Sequence, residues 1–489
     1  MVFLRTGDSV SLCKLLTDAL LDNADVTAFN GPTGPLTYSD FSGLVGGFCK
    51  ITSDLGVGES DAVLYHGPND PRLYAALVAS CLGNYNLVIL KTEISLEVVD
   101  RVAKSTGAKF VISNGILPKG LVPIILESVK PFTEISSKPE KNSTSHISLT
   151  SGSLGYPKAV FVDSQGLAEF IQWANTNLKL SSDDIWAECG DYTSDMWINN
   201  ALLAISSGAT IYINSKVSPL NAVQLISESK ATHVRSVPQV LKILSAGLKR
   251  SKNKEHSLKF VGIGGDIVHG DLLNSIAAWL PVTAQVLLTY GTTEIAGFSI
   301  YRKLSLSDCA NIDALEAVHL GEPIESTKLT VECLRNDRSR GELIISSNQV
   351  CVRCISTGDA PELLFEKQTP GYRGTYQTGD IVSMVESRII FQGRKYREII
   401  RNGQRIQMEQ LEKIYSKVVG GNCVIVEKDN DLCLLVECIN EISRVQLIER
   451  SRELIPNNLV PSKFRCTESL PRNSRGKLDF ARCSEYFES

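Results

Sequence analysis

The chain has 489 residues, of which 43% are hydrophobic and 21% charged, and its 50 lysines and arginines nearly balance 54 aspartates and glutamates. This balance gives no net field that would favour nucleic acid or an anionic membrane as partner. The length exceeds one ordinary core, so we expect a large domain of two or more lobes and a smaller domain. The N-terminal MVFLRTGDSVSLCK lacks an apolar signal segment, and AALVASCLGNYNLVIL is interrupted before it could span a bilayer. We predict a cytoplasmic protein.

Strand-like apolar runs alternate with amphipathic helical stretches through about residue 350. They include DAVLYHG and DPRLYAALVASCLG, KFVISN, HISLTSG and LAEFIQWANTNL, ATIYIN and PLNAVQLISES, and KFVGIGG and GDLLNSIAAWL. This alternation is typical of sheets flanked by helices. Shorter β-rich pieces follow from about residue 341, and the residues after 396 suffice for a small α+β domain. We predict an α/β fold with a large domain over residues 1–395 and a small domain over residues 396–489.

Thirteen cysteines are scattered without a disulfide framework, and large intracellular cores usually keep such thiols reduced. The one C-x-x-C pair, Cys351 and Cys354, lies in an alternating apolar pattern that is typical of a strand. No second pair lies near it in the sequence to complete a zinc site. We predict a structural role for both residues.

The segment TSGSLGYPK, residues 150–158, has the composition of a loop that binds phosphate. Serine, threonine and glycine allow a tight turn and supply hydroxyl and N–H groups for an anion, and a lysine adds positive charge. The ATPase P-loop requires G-x-x-x-x-G-K-[ST], whereas here Pro157 precedes Lys158 and Ala159 stands where the Mg²⁺-binding hydroxyl would be. Another part of the chain must supply the metal ligand.

Three further segments carry groups that suit a nucleotide. LTYGTTEIAG, residues 288–297, places a tyrosine, two threonines and a carboxylate after a strand. YQTGDIV has Asp380 at a turn, where it can accept from two vicinal hydroxyls, and LPRNSRGKLDF carries Lys477 on a loop. Taken alone, each has an ordinary explanation: a capped helix N-terminus, a turn or a solvated tail. Their joint occurrence in this order favours one shared site.

The ordered set resembles the core motifs of the adenylate-forming superfamily, which comprises acyl-CoA synthetases, luciferases and the adenylation domains of nonribosomal peptide synthetases. Weaker matches fall between the strong ones, at HLGEPI, RGELIIS, GRKYREIIRNGQRIQMEQLE and LIPNNLVPSKF. The pattern at Gly403, Arg405, Ile406 and Glu412 is most similar to stand-alone or peptide-synthetase adenylation domains. The resemblance implies a small β-barrel-like subdomain within the large domain and a mobile C-terminal lid domain.

The resemblance also implies a site for ATP and Mg²⁺. The residues that would surround the ATP phosphates are Thr150, Ser151, Gly152, Ser153, Gly155 and Lys158. Glu294 would bind the Mg²⁺ that the loop cannot hold, because this hard cation prefers a carboxylate and phosphate oxygens. Thr293 would contact the α-phosphate and Tyr290 would stack on adenine. Asp380 would hold both ribose hydroxyls, with Arg394 as a further nucleotide-binding residue.

In the family's first half-reaction, a carboxylate and ATP give an acyl-adenylate and pyrophosphate. Lys477 would bridge the carboxylate and the α-phosphate and neutralise the charge that builds as one anion attacks another. The C-terminal domain then rotates so that a thiol can take the acyl group. Tyr396 occupies the hinge position, Ile400 and Asn402 replace the usual basic residues, and Leu154 replaces a loop threonine. These departures weaken the expectation of the second half-reaction, transfer to the thiol, more than that of adenylate formation.

The acyl pocket is expected in GDYTSDMWINNALLAISSGATIYI. Alignment on Trp197 places Thr193, which follows Tyr192, where peptide-synthetase adenylation domains hold the substrate's α-ammonium with an aspartate. A buried ammonium without a counter-charge costs several kcal/mol. An ordinary α-amino acid is therefore disfavoured unless Asp191 or Asp195 takes over that role.

Arg235 of HVRSVPQ is expected on the pocket wall, together with Gly264 and Thr289. Gly262 and Gly297 add little side-chain bulk there. Two roles for Arg235 stay open. It forms a structural pair with a nearby acid, or it binds a second carboxylate or another acceptor on the substrate, a task that suits guanidinium geometry.

We predict a ligase that uses ATP to activate a small carboxylic or amino acid and transfers it to the phosphopantetheine thiol of a separate carrier protein, with no nucleic-acid or membrane partner. The nearest alternative is an acyl- or aryl-CoA ligase that uses free CoA. A third possibility is a non-catalytic nucleotide-binding relative. Retention of Lys477, Glu294 and Asp380 argues against it, and the altered hinge at Tyr396 argues weakly for it.

Overall fold

The computed structural model describes residues 11–31, 34–115, 119–135, 144–151, 157–214, 221, 223–250, 257–266, 268, 270–312, 318–334, 337–356, 374–385, 388–394, 398–401, 404–428, 431–437, 444–452, 455, 459–471 and 480–488. They form two compact units. The first comprises the described residues up to Thr150 and those of Pro157–Gly393, and the second contains the described residues from Arg394 onward. The division lies beside the domain boundary predicted after residue 395.

The helices are spread over both units. The α-helices are α1 (Leu12–Asp22), α2 (Tyr38–Asp54), α3 (Pro71–Gly83), α4 (Leu96–Thr106), α5 (Ser164–Leu178), α6 (Asp195–Ser206), α7 (Pro238–Arg250), α8 (Gly270–Ala277), α9 (Leu306–Asn311), α10 (Met408–Val419), α11 (Arg444–Arg452) and α12 (Phe480–Glu485). A 3₁₀ turn (Leu126–Ser128) and a π-helical turn (Gln224–Glu228) accompany them. Within the described ranges, no helix combines the length and the apolar character needed to cross a membrane.

Within the ranges given above, the strands form two large and three small sheets. They are β1 (Thr27–Asn30), β2 (Leu36–Thr37), β3 (Ala62–His66), β4 (Asn86–Leu90), β5 (Phe110–Ser113), β6 (Val122–Ile125), β7 (Thr144–Ser151), β8 (Pro157–Asp163), β9 (Ile185–Ala187), β10 (Thr210–Tyr212), β11 (His233–Ser236), β12 (Phe260–Gly264), β13 (Gln285–Tyr290), β14 (Ile300–Leu304), β15 (Glu322–Pro323), β16 (Thr327–Leu334), β17 (Asp337–Ser347), β18 (Arg353–Ser356), β19 (Gly374–Val385), β20 (Arg388–Arg394), β21 (Glu398–Arg401), β22 (Gln404–Gln407), β23 (Cys423–Lys428), β24 (Asp431–Glu437) and β25 (Lys463–Thr467).

The first unit contains both large sheets. One has the strand order β15-β14-β13-β12-β11-β9-β10-β1-β2, and the other has the order β18-β8-β7-β4-β3-β5-β6. Within the first of these, β10, β9, β11, β12 and β13 pair in parallel, and parallel neighbours require crossover connections, which helices usually provide. A smaller sheet of β16, β17, β19 and β20, with antiparallel pairing at β16–β17 and β17–β19, stands where the β-barrel-like subdomain was predicted.

Local sequence explains the central helix α3. Asp70 caps its start by accepting a hydrogen bond from the Arg72 N–H at 2.9 Å, and Pro71 occupies the first turn, where its missing N–H is not needed. Asn84 ends the helix in the left-handed conformation, with φ of +57°. Every residue of 73–82 is buried, so α3 lies inside the core of the first unit between β3 and β4 in the chain.

The second unit has a core of its own. Strands β23 and β24 pair antiparallel and β25 pairs parallel to β24. Leu411 and Tyr415 of α10 pack with Ile425 and Leu434 of this sheet. Glu412 also joins the helix to the sheet, because its Oε1 accepts from the Ile425 N–H at 2.7 Å. The predicted α/β fold with a large sheet domain and a smaller α+β domain is confirmed.

The Cys351–Cys354 pair lies inside the first unit. Both residues are buried around Val160, and their Sγ atoms are 4.0 Å apart. In the part of the chain that the structure describes, no group of three or more His, Cys, Asp and Glu side chains is arranged to hold a metal ion. A packing role accounts for both thiols.

A substitution at Gly46 tests how closely α2 packs against the segment that contains Phe132. A Cβ at this position would overlap the carbonyl oxygen of Phe132. Alanine is the better helix former by about 1 kcal/mol, yet we expect Gly46→Ala to lower the free energy of unfolding by roughly 1–3 kcal/mol because the backbone must shift. Gly43→Ala is the matched control, since its Cβ would meet the Pro131 Cβ at 3.2 Å. Chemical denaturation that finds the two variants equally stable would contradict this packing.

Candidate active site

Three parallel strands bring several predicted residues to one edge of the nine-stranded sheet. Arg235 of β11 pairs with Gly262 of β12, and Gly264 pairs with Thr289 of β13. Tyr290 is the last residue of β13. Ligands of such sheets bind in the crevice outside the carboxyl ends of the strands. The predicted acyl-pocket residues on these strands and the predicted adenine-binding tyrosine therefore lie side by side.

Tyr290 and Asp380 are in direct contact. The Tyr290 hydroxyl donates a hydrogen bond to Asp380 Oδ2 at 2.5 Å. Asp380 lies in β19, is 1% exposed, and donates its backbone N–H to Thr378 Oγ1 at 3.0 Å. The Thr378 hydroxyl in turn donates to the Leu343 carbonyl at 2.7 Å. The predicted turn at Asp380 is wrong, because residues 378–380 lie within β19. Gly379 has a left-handed φ of +70° where the register between β17 and β19 shifts, as in a β-bulge. The antiparallel sheet thus fixes the carboxylate against the tyrosine.

Thr293 and Glu294 follow Tyr290 in a buried segment. Their exposed fractions are 8% and 3%, and the Cys351 N–H donates to the Glu294 carbonyl at 2.9 Å. Mg²⁺ is usually held by one or two carboxylates together with substrate phosphates and water, not by an all-protein cage. A buried carboxylate that closely follows the predicted nucleoside residue Tyr290 in sequence fits that preference.

Part of the predicted site lies outside the described residues. These positions are Gly152, Ser153, Leu154, Gly155, Tyr396, Asn402, Gly403 and Lys477. The backbone but not the side chain is described for Ser151, Arg394, Ile400, Arg405 and Ile406. Thr150 lies in β7, and Lys158 lies in β8 opposite Ser356. The phosphate-loop and lysine roles stay predictions.

Arg235 is 5% exposed, and its hydrogen-bond partners among the described residues are neutral. Its Nη1 donates to Asn200 Oδ1 at 3.0 Å and its Nη2 to Thr289 Oγ1 at 3.4 Å, and its Cζ lies 5.1 Å from the centre of the Phe298 ring. Burial lowers the pKa of Arg235 to about 10, an effect that the charge of Asp195 opposes. No described carboxylate forms an ion pair with Arg235, so the predicted structural pair is not found among these residues.

Both carboxylate oxygens of Asp191 contact other groups of the protein. Its Oδ2 forms an ion pair with Lys91, and its Oδ1 accepts from the Thr193 N–H at 3.1 Å and from the Thr193 hydroxyl at 2.8 Å. Tyr192 is tied to the same region, since its oxygen accepts from the Thr92 N–H at 3.3 Å. Asp191 would have to give up Lys91 to hold a substrate ammonium.

Trp197 packs in the core of the first unit. Its ring is fully buried, with ring centroids 4.7 Å from Tyr74 and 6.5 Å from Tyr192. The side chain therefore supports the segment that precedes α6. Its predicted contact with the substrate stays a prediction.

Sequence reasoning did not single out Asn200 or Glu188. Asn200 bonds twice to Arg235, since its Nδ2 also donates to the Arg235 carbonyl at 3.1 Å. The signal was present, because Asn199 and Asn200 interrupt the apolar helix DMWINNALLAIS. Glu188 follows β9 and accepts from the Gly190 N–H at 3.0 Å. Burial raises the pKa of Glu188 to about 8, and the context WAECGD gives no sign of this burial.

The sequence matches a known family over most of the first unit. The family model described as AMP-binding enzyme matches residues 17–352. The chain belongs to this family. The match includes Tyr290, Thr293 and Glu294, and it confirms the resemblance to adenylate-forming enzymes that the ordered motifs indicated.

Two similar proteins are named as ligases of carrier proteins. The chain is 26% identical over 350 residues to an L-proline--[L-prolyl-carrier protein] ligase of Streptomyces coelicolor, covering 68% of this chain and 64% of that protein. It is 23% identical over 413 residues to a D-alanine--D-alanyl carrier protein ligase of Bacillus cytotoxicus, covering 78% of this chain and 80% of that protein. The match thus spans less than two thirds of the proline ligase. These names and the family agree with the predicted enzyme class, an adenylate-forming ligase.

A solved structure shares the fold over the whole chain. The Vibrio cholerae adenylation domain AlmE, solved in complex with glycyl-adenosine-5'-phosphate, has a TM-score of 0.80 at 18% identity and covers 100% of this chain and 99% of its own. At this identity the likeness concerns the fold alone.

The contact between Tyr290 and Asp380 gives a test of nucleotide binding. We expect Asp380→Ala to weaken ATP binding at least 10-fold, because hydrogen bonds to a charged group contribute about 1.5–3 kcal/mol. Tyr290→Phe should weaken it roughly 5-fold, since one hydrogen bond that orients the carboxylate is lost. Tyr301→Phe on the neighbouring strand β14 removes the same atom outside this contact. If calorimetry finds unchanged ATP affinity in both site variants, Asp380 does not hold the nucleotide.

Glu188 gives a test of stability against pH. Between its ordinary pKa of 4.5 and its raised pKa of about 8, the folded state keeps a proton that the unfolded state has lost. The free energy of unfolding is therefore highest below pH 4.5 and falls as the pH rises from 4.5 to about 8, by up to about 1.4 kcal/mol per pH unit. We expect Glu188→Gln to flatten the pH profile of unfolding between pH 5 and 8, and the exposed Glu228→Gln to leave it unchanged. Identical profiles for both variants would contradict the buried, protonated carboxyl.

Proposed function

We propose that the protein activates a small carboxylic acid with ATP as an acyl-adenylate and then transfers the acyl group to the phosphopantetheine thiol of a separate carrier protein. The observation that carries this proposal is the 2.5 Å hydrogen bond from Tyr290 to Asp380. These residues, 90 positions apart in sequence, were assigned on independent motifs to the adenine and the ribose of one nucleotide. Their contact supports a single nucleoside site.

The protein's own groups account for nucleoside binding. Asp380 would accept hydrogen bonds from the two ribose hydroxyls, and Tyr290 and Thr378 would keep its carboxylate in place. The ring of Tyr290 would offer a face to adenine. Because these contacts exist before the nucleotide arrives, little ordering is needed when it binds.

The charged part of ATP would meet Thr293, Glu294 and Lys477. The Thr293 hydroxyl would contact the α-phosphate, and Glu294 would hold Mg²⁺, which when bound supplies positive charge to the phosphate oxygens. Lys477 would stabilise the negative charge of the approaching carboxylate and of the α-phosphate together. In a site that excludes water, such preorganised charges are the largest source of rate enhancement.

The carrier protein as acceptor is supported by the relatives, which are named as ligases of prolyl- and D-alanyl-carrier proteins. A cytoplasmic location, and the absence of nucleic-acid and membrane partners, stay predictions. The acceptor can be decided directly by following AMP release with a panel of phosphopantetheinylated carrier proteins or with free CoA. Stimulation by a carrier but not by CoA supports the proposal, and stimulation by CoA alone would make the protein an acyl-CoA ligase.

Lys477 tests the first half-reaction. We expect Lys477→Ala to lower acid-dependent exchange of pyrophosphate into ATP by two or more orders of magnitude, because one group aimed at a charged transition state often contributes about 100-fold or more. Lys463→Ala is the control, since Lys463 is half-exposed in β25 and lies 3.9 Å from Asp431. Circular dichroism checks that both variants are folded. Exchange near the wild-type rate in Lys477→Ala would remove this lysine from the mechanism.

A further inference from the structure

The nine-stranded sheet is shaped to admit the side chain of Arg235. The stem of the arginine lies across β12 at Gly262, where a Cβ would come within 2.6 Å of Arg235 Cγ and 3.0 Å of its Cδ. Real Cβ atoms are essentially never found closer than 3.0 Å to such neighbours. Glycine at position 262 therefore leaves the space that lets the guanidinium reach Thr289 on the far side of β12.

The guanidinium keeps unused hydrogen-bonding capacity. It has five N–H donors, and among the described residues it uses two of them, on the neutral oxygens of Asn200 and Thr289. Its Nε has no hydrogen-bond partner in the described part of the chain. The ring of Phe298 adds a cation–π contact but no negative charge. A buried cation whose hydrogen-bond partners are neutral lowers the stability of the fold, and a bound anion would offset this cost.

The guanidinium lies next to the proposed nucleotide site. Thr289, which accepts from Arg235 Nη2, immediately precedes Tyr290, whose hydroxyl contacts Asp380. A short acid could therefore present one carboxylate to ATP and its other end to Arg235. The group at that other end must accept hydrogen bonds from a buried guanidinium.

Most acidic side chains of the same region are poorly suited to pair with a substrate ammonium. Thr193 stands where an aspartate was expected, and it donates two hydrogen bonds to Asp191, which Lys91 already neutralises. Glu188 is buried and protonated at neutral pH because its pKa is raised to about 8. Asp195 remains the acidic residue whose charge acts on Arg235.

We propose that the preferred substrate is a short carboxylic acid with a second anionic group, a carboxylate or a sulfonate, which binds Arg235, and that it needs no α-ammonium group. Arg235 and a planar carboxylate can form two parallel charge-assisted hydrogen bonds. The inference rests on the proposed function, since it names the acid that this site activates.

The test compares acids in matched pairs. Dicarboxylic acids of three to six carbons, and their monosulfonate analogues, are each compared with the monocarboxylic acid of the same length in acid-dependent pyrophosphate release. We expect at least one dianionic acid to exceed its monocarboxylic partner about 30-fold or more in kcat/KM, the range found when a buried charge pair is broken. Alanine and aspartate extend the panel to α-amino acids.

Arg235→Met removes the charge while keeping an apolar stem. We expect this variant to lose the preference for dianionic acids, to retain ATP affinity in calorimetry, and to unfold at a higher temperature than the wild type, because an unneutralised buried charge is replaced by an apolar group. Arg353→Met is the matched control, since Arg353 also lies over an aromatic ring, that of Phe161, at 4.0 Å. Gly262→Ala keeps the charge but displaces it, and should lower the same preference.

Two outcomes separate this inference from the proposed function. If monocarboxylic or neutral α-amino acids are activated as well as dianionic ones, and Arg235→Met leaves this pattern unchanged, the inference is wrong while acid activation stands. If no acid releases pyrophosphate, the proposed function fails. Thermal-shift measurements then test separately whether dianionic acids bind at Arg235. Dianionic acids should raise the unfolding temperature of the wild type in the presence of ATP but not that of Arg235→Met, and no such difference would overturn the inference.

Discussion

The site depends on the parallel, in-register pairing of β11, β12 and β13. Backbone hydrogen bonds place Arg235 beside Gly262 and Gly264 beside Thr289, so these groups are fixed before any ligand binds. A slip of one residue would turn each side chain to the opposite face of the sheet. It would also move the arginine away from the glycine that makes room for it. Fixed groups of this kind need no reorganisation during reaction, which is the main advantage of an enzyme site over water.

Two buried charged residues of this sheet, Asp184 and Arg235, have different kinds of partner. Asp184, 1% exposed, precedes β9 and is neutralised by Lys259 at 2.8 Å, with a further hydrogen bond from Thr232 at 3.2 Å. That arrangement is complete without a ligand and is sufficient for a structural role. Arg235 has only neutral hydrogen-bond acceptors among the described residues. Proteins often retain such locally unfavourable groups at functional sites and compensate for them elsewhere.

The sequence predicted the fold and the motifs of the site better than it predicted which side chains contact each other. The alternation of strands and helices, and the order of the motifs, are local signals that survive in a single sequence, and the fold and family confirm them. The contact of Tyr290 with Asp380 and the ion pair of Lys91 with Asp191 join residues 90 and 100 positions apart. No local pattern specifies them, because they depend on how separate sheets pack. Similarly, PLNAVQLISES has a helical pattern, but its described part forms a π-helical turn.

The central claim is that a carboxylate oxygen attacks the α-phosphorus of ATP. An acid labelled with ¹⁸O in its carboxylate tests this most directly. The account predicts that each turnover leaves one labelled oxygen in the phosphoryl group of AMP, since the acyl carbon–oxygen bond breaks when the thiol takes the acyl group. Mass spectrometry of the AMP measures the label. Label found in inorganic phosphate with ADP as the other product, or AMP without label, would contradict adenylate formation.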